Sequence, residues 1–263
     1  MASERASRRA FLRVAALLFA ASAALTTLCC ASMSAMGGMP MPGGWTMSMV
    51  WMRMPGQTWA GAAASFLGMW VAMMIAMMLP ALAPMLWRYR QAVGGTGETR
   101  LGGLTAVAGA GYFFVWALFG MAVFPLGAAL AAIDMQWPAL ARAMPIAIGG
   151  VVLLAGAFQL TEWKARQLAG CREANDCCAA LPADAGTAWR HGVGLGLLCA
   201  RGCCNLMAIL LVLGVMDLRV MAGVTAAIAI ERLAPAGERA ARALGVVGMG
   251  AGMLLIARAA GLA

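Results

Sequence analysis

Met69-Trp70-Val71-Ala72-Met73-Met74-Ile75-Ala76-Met77-Met78-Leu79-Pro80 lies inside a charge-free apolar run over residues 62–87. Such a run is long enough to cross a bilayer as a helix, which needs about 20 residues. On a helix Met69, Met73 and Met77 fall on one face, with Met74 and Met78 beside them. Thioether sulfur is a soft ligand suited to Cu(I) and poorly suited to Mg or Ca. Methionine is also adaptable packing material. Taken alone the stretch favours packing, and the rest of the chain shifts that balance.

Of 263 residues, 63% are hydrophobic and 11% charged, with a mean hydropathy of +0.84. That composition describes an all-α polytopic transmembrane bundle, not a soluble domain. Apolar runs place spans near 11–31, 62–87, 101–132, 143–163, 192–216, 219–233 and 243–258. That makes about seven, or six if the first is removed. Residues 1–61 read as an anchor or signal helix followed by a Met-rich outward loop, and residues 62–263 as the polytopic membrane domain. The run 101–132 is long and is expected to tilt or to stop before Pro125. Arg5, Arg8, Arg9 and Arg13 precede the first run, as in a signal peptide. The residues before Cys29 make a poor lipoprotein cleavage signal, so an uncleaved anchor is the expectation.

The net charge of +9 does not point to nucleic acid, because membrane proteins carry positive charge in their cytoplasmic loops. Arg5, Arg8, Arg9 and Arg13, then Arg88, Arg90 and Arg100, then Lys164, Arg166, Arg172 and Arg190, then Arg232, Arg239 and Arg242 fall on one side of a seven-span chain. Only Arg53, Arg142, Arg219 and Arg258 fall on the other. The expectation is a bacterial-type inner membrane with a cytoplasmic N-terminus and residues 32–61 facing outward.

Soft ligands occur in three places. The outward loop holds Met33, Met36, Met39, Met41, Met47, Met49, Met52 and Met54 among Gly and Pro, a composition unlike a packed helix. Exposed methionines cost solubility and invite oxidation, so metal capture is a reason to keep them, and resting on lipid or helix ends is the alternative. The fifth span carries Cys199, Cys203, Cys204 and Met207, with Cys199 and Cys203 one turn apart and Met207 continuing their face. Arg201 shares that turn, and an arginine in mid-span marks a functional site by default. Its charge is expected to favour thiolates suited to Cu(I), with Zn(II) as second choice. The inner loop holds Cys171, Cys177 and Cys178, in a spacing that is no zinc-finger pattern. They are candidates for passing the ion to a cytoplasmic acceptor. His191 is a weak candidate ligand. Gln159, Glu162 and Trp163 read as helix-end anchoring, and Glu162 and Glu231 as partners for arginines or part of an exit path. Glycines in 102–111 and 245–252 read as close helix packing.

No Ser/His/Asp set is possible beyond the single His191, and no glycine-rich lysine loop cradles phosphate. No enzymatic class is expected.

Trp70, Met73, Met74, Met77, Met78, Leu79 and Pro80, followed by Gln159, Lys164, Cys171, Arg172, Trp189 and Gly192, form a recognisable order. After them come Cys199, Gly202, Cys203, Cys204, Leu206, Met207, Gly214, Met216, Glu231 and Arg232. Over roughly residues 60–250 the pattern resembles the DUF2182 family, predicted metal-binding integral membrane proteins sometimes labelled copper chaperones. Asn205 stands where the family usually has an aromatic residue, Arg232 where it tends to have lysine, and Thr161-Glu162-Trp163-Lys164 where it has Thr-Pro-x-Lys. The resemblance implies metal binding and leaves the direction of transport open.

The combined expectation is a membrane protein that binds copper(I) through Met69, Met73, Met74, Met77, Met78, Cys199, Cys203, Cys204 and Met207, for transport or delivery. Its partners would be the copper ion, the bilayer and a copper-accepting protein. The alternatives are a thiol–disulfide redox protein using Cys203 and Cys204, and a structural subunit of a membrane complex.

Overall fold

A lipid-exposed backbone must satisfy its own polar groups, so long apolar runs fold as helices. The computed structural model describes residues 2–93, 97–176, 181–234 and 236–262. Its helices are α1 (Ala2–Ala35), α2 (Trp59–Ala92), α3 (Glu98–Gln136), α4 (Pro138–Phe158), α5 (Glu162–Asp176), α6 (Ala185–Leu213), α7 (Leu218–Leu233) and α8 (Gly237–Ala259). Six of them, α1, α2, α3, α4, α6 and α8, are long and apolar enough to cross a membrane. The chain is an all-α membrane bundle. The remaining expected span, 219–233, is α7. At 16 residues it reaches only about 24 Å, short of a hydrocarbon core of about 30 Å.

Pro125 does not end α3, which runs on to Gln136 over 39 residues. Membrane helices tolerate an internal proline because neighbours satisfy the freed backbone groups. Asp217 caps α7 by accepting from the Arg219 and Val220 amides at 2.7 and 3.2 Å, which permits the tight turn after α6. Asp184 caps α6 in the same way. The Thr187 amide at 2.8 Å holds its carboxyl below the ordinary carboxylate range.

Helix α1 runs antiparallel to α2. Near its start Phe11 packs against Trp87 with tilted rings whose centres are 5.6 Å apart, and Ser7 accepts from Arg90 Nη2 at 3.2 Å. Two other pairs approach through glycine. A Cβ at Gly192 of α6 would overlap the Ala108 carbonyl of α3, and one at Gly156 of α4 would stand 2.6 Å from the Met249 amide of α8. The glycine-rich stretches therefore do pack helices, though Gly102 and Gly103 face open space.

The segment between α1 and α2 is more ordered than its composition suggests. Met39–Met41 pairs with Trp45–Met47 as a small antiparallel hairpin, and Met49–Trp51 makes one 3₁₀ turn. Trp45 Nε1 donates to the Ala141 carbonyl at 2.8 Å, pinning the hairpin to α4. Met41 and Met47 are buried there with Ala131 and Ala141. Methionines 39, 41 and 47 pack in this cluster, which agrees, for these three, with the alternative that loop methionines rest on helix ends. The stretch after Glu162, expected as loop, is α5. Its polar composition hid it, and its start is marked by Thr161, whose hydroxyl accepts from the Lys164 amide at 3.3 Å.

Candidate metal centre

The main core gathers sulfur. Met73, Met74, Met77 and Met78 of α2 are buried in one cluster with Cys199, Cys203 and Met207 of α6. The α2 face is aimed by Trp70, which is fully buried and donates from Nε1 to the Trp116 carbonyl of α3 at 2.8 Å. Across from it Cys199 Sγ donates to Met78 Sδ at 3.9 Å. The Tyr112 hydroxyl of α3 donates to Cys199 Sγ at 2.8 Å. Cys203 Sγ donates to the Cys199 carbonyl at 3.0 Å, one turn along. Thiol, thioether and phenol from α6, α2 and α3 thus meet at one point, about 21 Å from the start of α6.

A polar belt adjoins this point. Lys164 of α5 and Glu231 of α7 form an ion pair at 2.7 Å, with side chains 1% and 2% exposed. Lys164 Nζ also donates to the Gly202 carbonyl at 2.6 Å, and Gln159 Nε2 donates to Glu231 at 2.6 Å. Arg232 Nη2 donates to the Cys199 carbonyl at 3.2 Å. The C-terminal ends of α4 and α7 point at this belt, where helix dipoles favour cations. Asn205 ties α6 to α4 by donating to the Ala155 carbonyl at 3.2 Å, a use for the position where the resembled family has an aromatic residue.

Several sequence expectations change here. Arg201 is exposed and does not face the thiols; Arg232 and Lys164 bring the positive charge instead. Cys204 is partly exposed and donates back to the Arg201 carbonyl at 3.4 Å, so it stands apart from Cys199 and Cys203. Met69 is half-buried at the edge of the cluster and lines a separate cavity. Gln159 is a core residue, not an interfacial anchor, whereas Trp163 is exposed and packs on Phe158 at 5.0 Å. Glu231 pairs with a lysine, not an arginine. His191 stacks on Tyr89 at 5.0 Å, about 12 Å along α6 from Cys199. Cys171 is on α5; Cys177 and Cys178 lie outside the described residues.

Two contacts were missed. Tyr112 sits in a run of aromatics that reads as packing, and its only signal is that the chain holds just 2 tyrosines. Cys30, buried in α1, places Sγ 3.9 Å from Met216 Sδ, a pairing between residues 186 apart in sequence.

Among the described residues no three His, Cys, Asp or Glu side chains come together as a metal-binding group. No curated protein and no solved structure matches the chain. A family model described as PpoB2, copper chaperone, matches residues 67–255, which takes in the whole α2 methionine face from Met69 and the cysteines of α6. The chain belongs to the PpoB2 copper chaperone family.

Proposed function

We propose that this protein carries Cu(I) within the membrane for transport or handover, and catalyses no reaction. The inner centre consists of the Cys199 and Cys203 thiolates with the Met78 thioether, and Met69, Met73, Met74, Met77 and Met207 line the approach. The observation that carries the reading is the 3.9 Å separation of Met78 Sδ and Cys199 Sγ, both buried. Two sulfurs bound to one ion at about 2.3 Å stand roughly 3.8–4.0 Å apart at tetrahedral to trigonal angles. A site for the ion needs little rearrangement at that spacing. Binding releases the thiol protons, and Arg232 and Lys164 are positive neighbours for the anionic thiolates. The arginine distribution supports an inner-membrane protein with a cytoplasmic N-terminus.

Elemental analysis of the purified protein tests the centre. Wild type is expected to hold copper that the Cys199→Ser/Cys203→Ser variant lacks, and equal copper in both would remove it. Reconstituted vesicles then separate the two roles, since transport gives Cu(I) flux across the bilayer and handover gives none. The disulfide alternative requires Cys203 and Cys204 to meet, and their thiols donate to different carbonyls on diverging sides of α6.

A further inference from the structure

Seven sulfur side chains line one cavity at the end of the bundle where α1 finishes and α2 begins. The cavity is about 430 Å³. Helix α1 contributes Cys29 and Met33, the connecting segment Met36, Met49, Met52 and Met54, and α2 Met69. Cys29 and Met33 lie one turn apart on one face of α1, and Met36 follows just past its end. None of the seven is buried, and Met36 is 46% exposed.

Met69 packs against the main core cluster, and the other six belong to neither core cluster. The methionines of the segment that pack, Met39, Met41 and Met47, do so in the separate hairpin cluster. The lining has no carboxylate and no histidine, so a hard cation finds no ligand there. The polar side chains at the wall largely satisfy one another: Gln57 Nε2 donates to Ser65 Oγ at 3.3 Å, and Gln57 Oε1 accepts from the Met54 amide at 3.4 Å. What remains for a ligand is one thiol, six thioethers and the Ser32 hydroxyl.

We propose that this cavity is a second, outer Cu(I) site that captures the ion before it enters the bundle. The cargo rests on the copper reading above; the site itself does not. Cys29 binds as thiolate and gives its proton to water, with thioethers from α1 and the segment completing the shell. No electron moves, and the ion enters and leaves as Cu(I). Met69 belongs both to the cavity and to the methionine face of α2, and Met73 follows about 6 Å along the helix. Met69 thus links the cavity wall to the buried methionines further along α2. The family match begins at residue 67, so every proposed ligand except Met69 lies outside it. Except for Met69, the outer site is carried by the N-terminal part of this chain.

Ag(I), a d¹⁰ ion that does not cycle redox state, is the probe, titrated into the full chain in detergent and counted by elemental analysis. The variants are Cys29→Ser/Met33→Leu/Met36→Leu, which keeps side-chain volume nearly constant, and Cys199→Ser/Cys203→Ser. The outer variant is expected to lose about one ion per chain and keep the inner one, and the inner variant the converse. A second measurement needs no variant: Ag(I) lowers alkylation of Cys29 by N-ethylmaleimide about tenfold or more, read by peptide mass spectrometry, and Zn(II) does not. An outer variant with the full count of ions, or Cys29 alkylation unchanged by Ag(I), overturns the outer site. An inner variant with the full count overturns the inner centre and leaves the outer site standing.

Discussion

Cys199 is the residue on which the contacts of the inner site meet. It accepts from Tyr112, donates to Met78 and lends its carbonyl to Cys203 and Arg232. Its neighbours differ in what they give a metal, and that difference is measurable. Met78→Leu keeps the volume and removes the sulfur, so the fold survives while Cu(I) affinity drops by about tenfold or more, as read by competition with a colorimetric Cu(I) chelator. Cys204→Ser, on the diverging side, leaves affinity within about twofold. If Cys204 proved the more damaging of the two, the ligand assignment would be reversed. Tyr112→Phe removes a hydroxyl that bonds the thiolate. A hydrogen bond to a charged group is worth about 1.5–3 kcal/mol, so the dissociation constant should rise roughly ten- to hundredfold with the metal count unchanged. An unchanged constant would mean that the hydroxyl bonds only the protonated thiol.

Between elements, Tyr112 reaches Cys199 only because α3 and α6 run close together, and Gly192 permits that approach. Gly192→Ala forces a methyl against the Ala108 carbonyl and should cost about 1–3 kcal/mol, seen as a lower melting temperature in detergent with weakened Cu(I) binding. Gly194→Ala is the control. Nothing lies within 4 Å of a Cβ there, and alanine is the better helix former by about 1 kcal/mol, so that variant should melt no lower than wild type. Equal destabilisation by both would show that the close approach is not what matters at Gly192. The same pair shows how far the sequence could be read. Runs of apolar residues announced the helices and their rough ends, and glycine announced close packing. Which helix each glycine approaches depends on rotations that sequence periodicity does not contain. The thioether face of α2 and the thiols of α6 were legible because soft ligands in mid-span are unusual. Arg201 misled because spacing puts it in the same turn as the cysteines, while the direction it faces depends on where α6 meets α4 and α7. Cys30 and Met216 were invisible because nothing local links residues so far apart.

For the molecule as a whole, the junction of four elements is held by charge as much as by packing. The end of α4, the first turn of α5, the middle of α6 and the last turn of α7 meet around Lys164, Glu231, Gln159 and the Gly202 carbonyl. Both charges are almost fully buried, so each depends on the other: taking one away leaves an uncompensated ion in a low-dielectric interior, at about 3–5 kcal/mol. Glu231→Gln keeps the shape and strands Lys164, and should lower the melting temperature sharply. Lys164→Met in the same chain removes the stranded charge. The double variant should therefore recover most of the lost stability, although each single change is damaging. A thermal-unfolding cycle over wild type, both singles and the double decides the matter. Strictly additive losses would show that the two residues act apart. Coupling, with copper binding still weak in the stable double variant, would assign the pair a second role: keeping positive charge beside the thiolates, which the hydrophobic replacement cannot do.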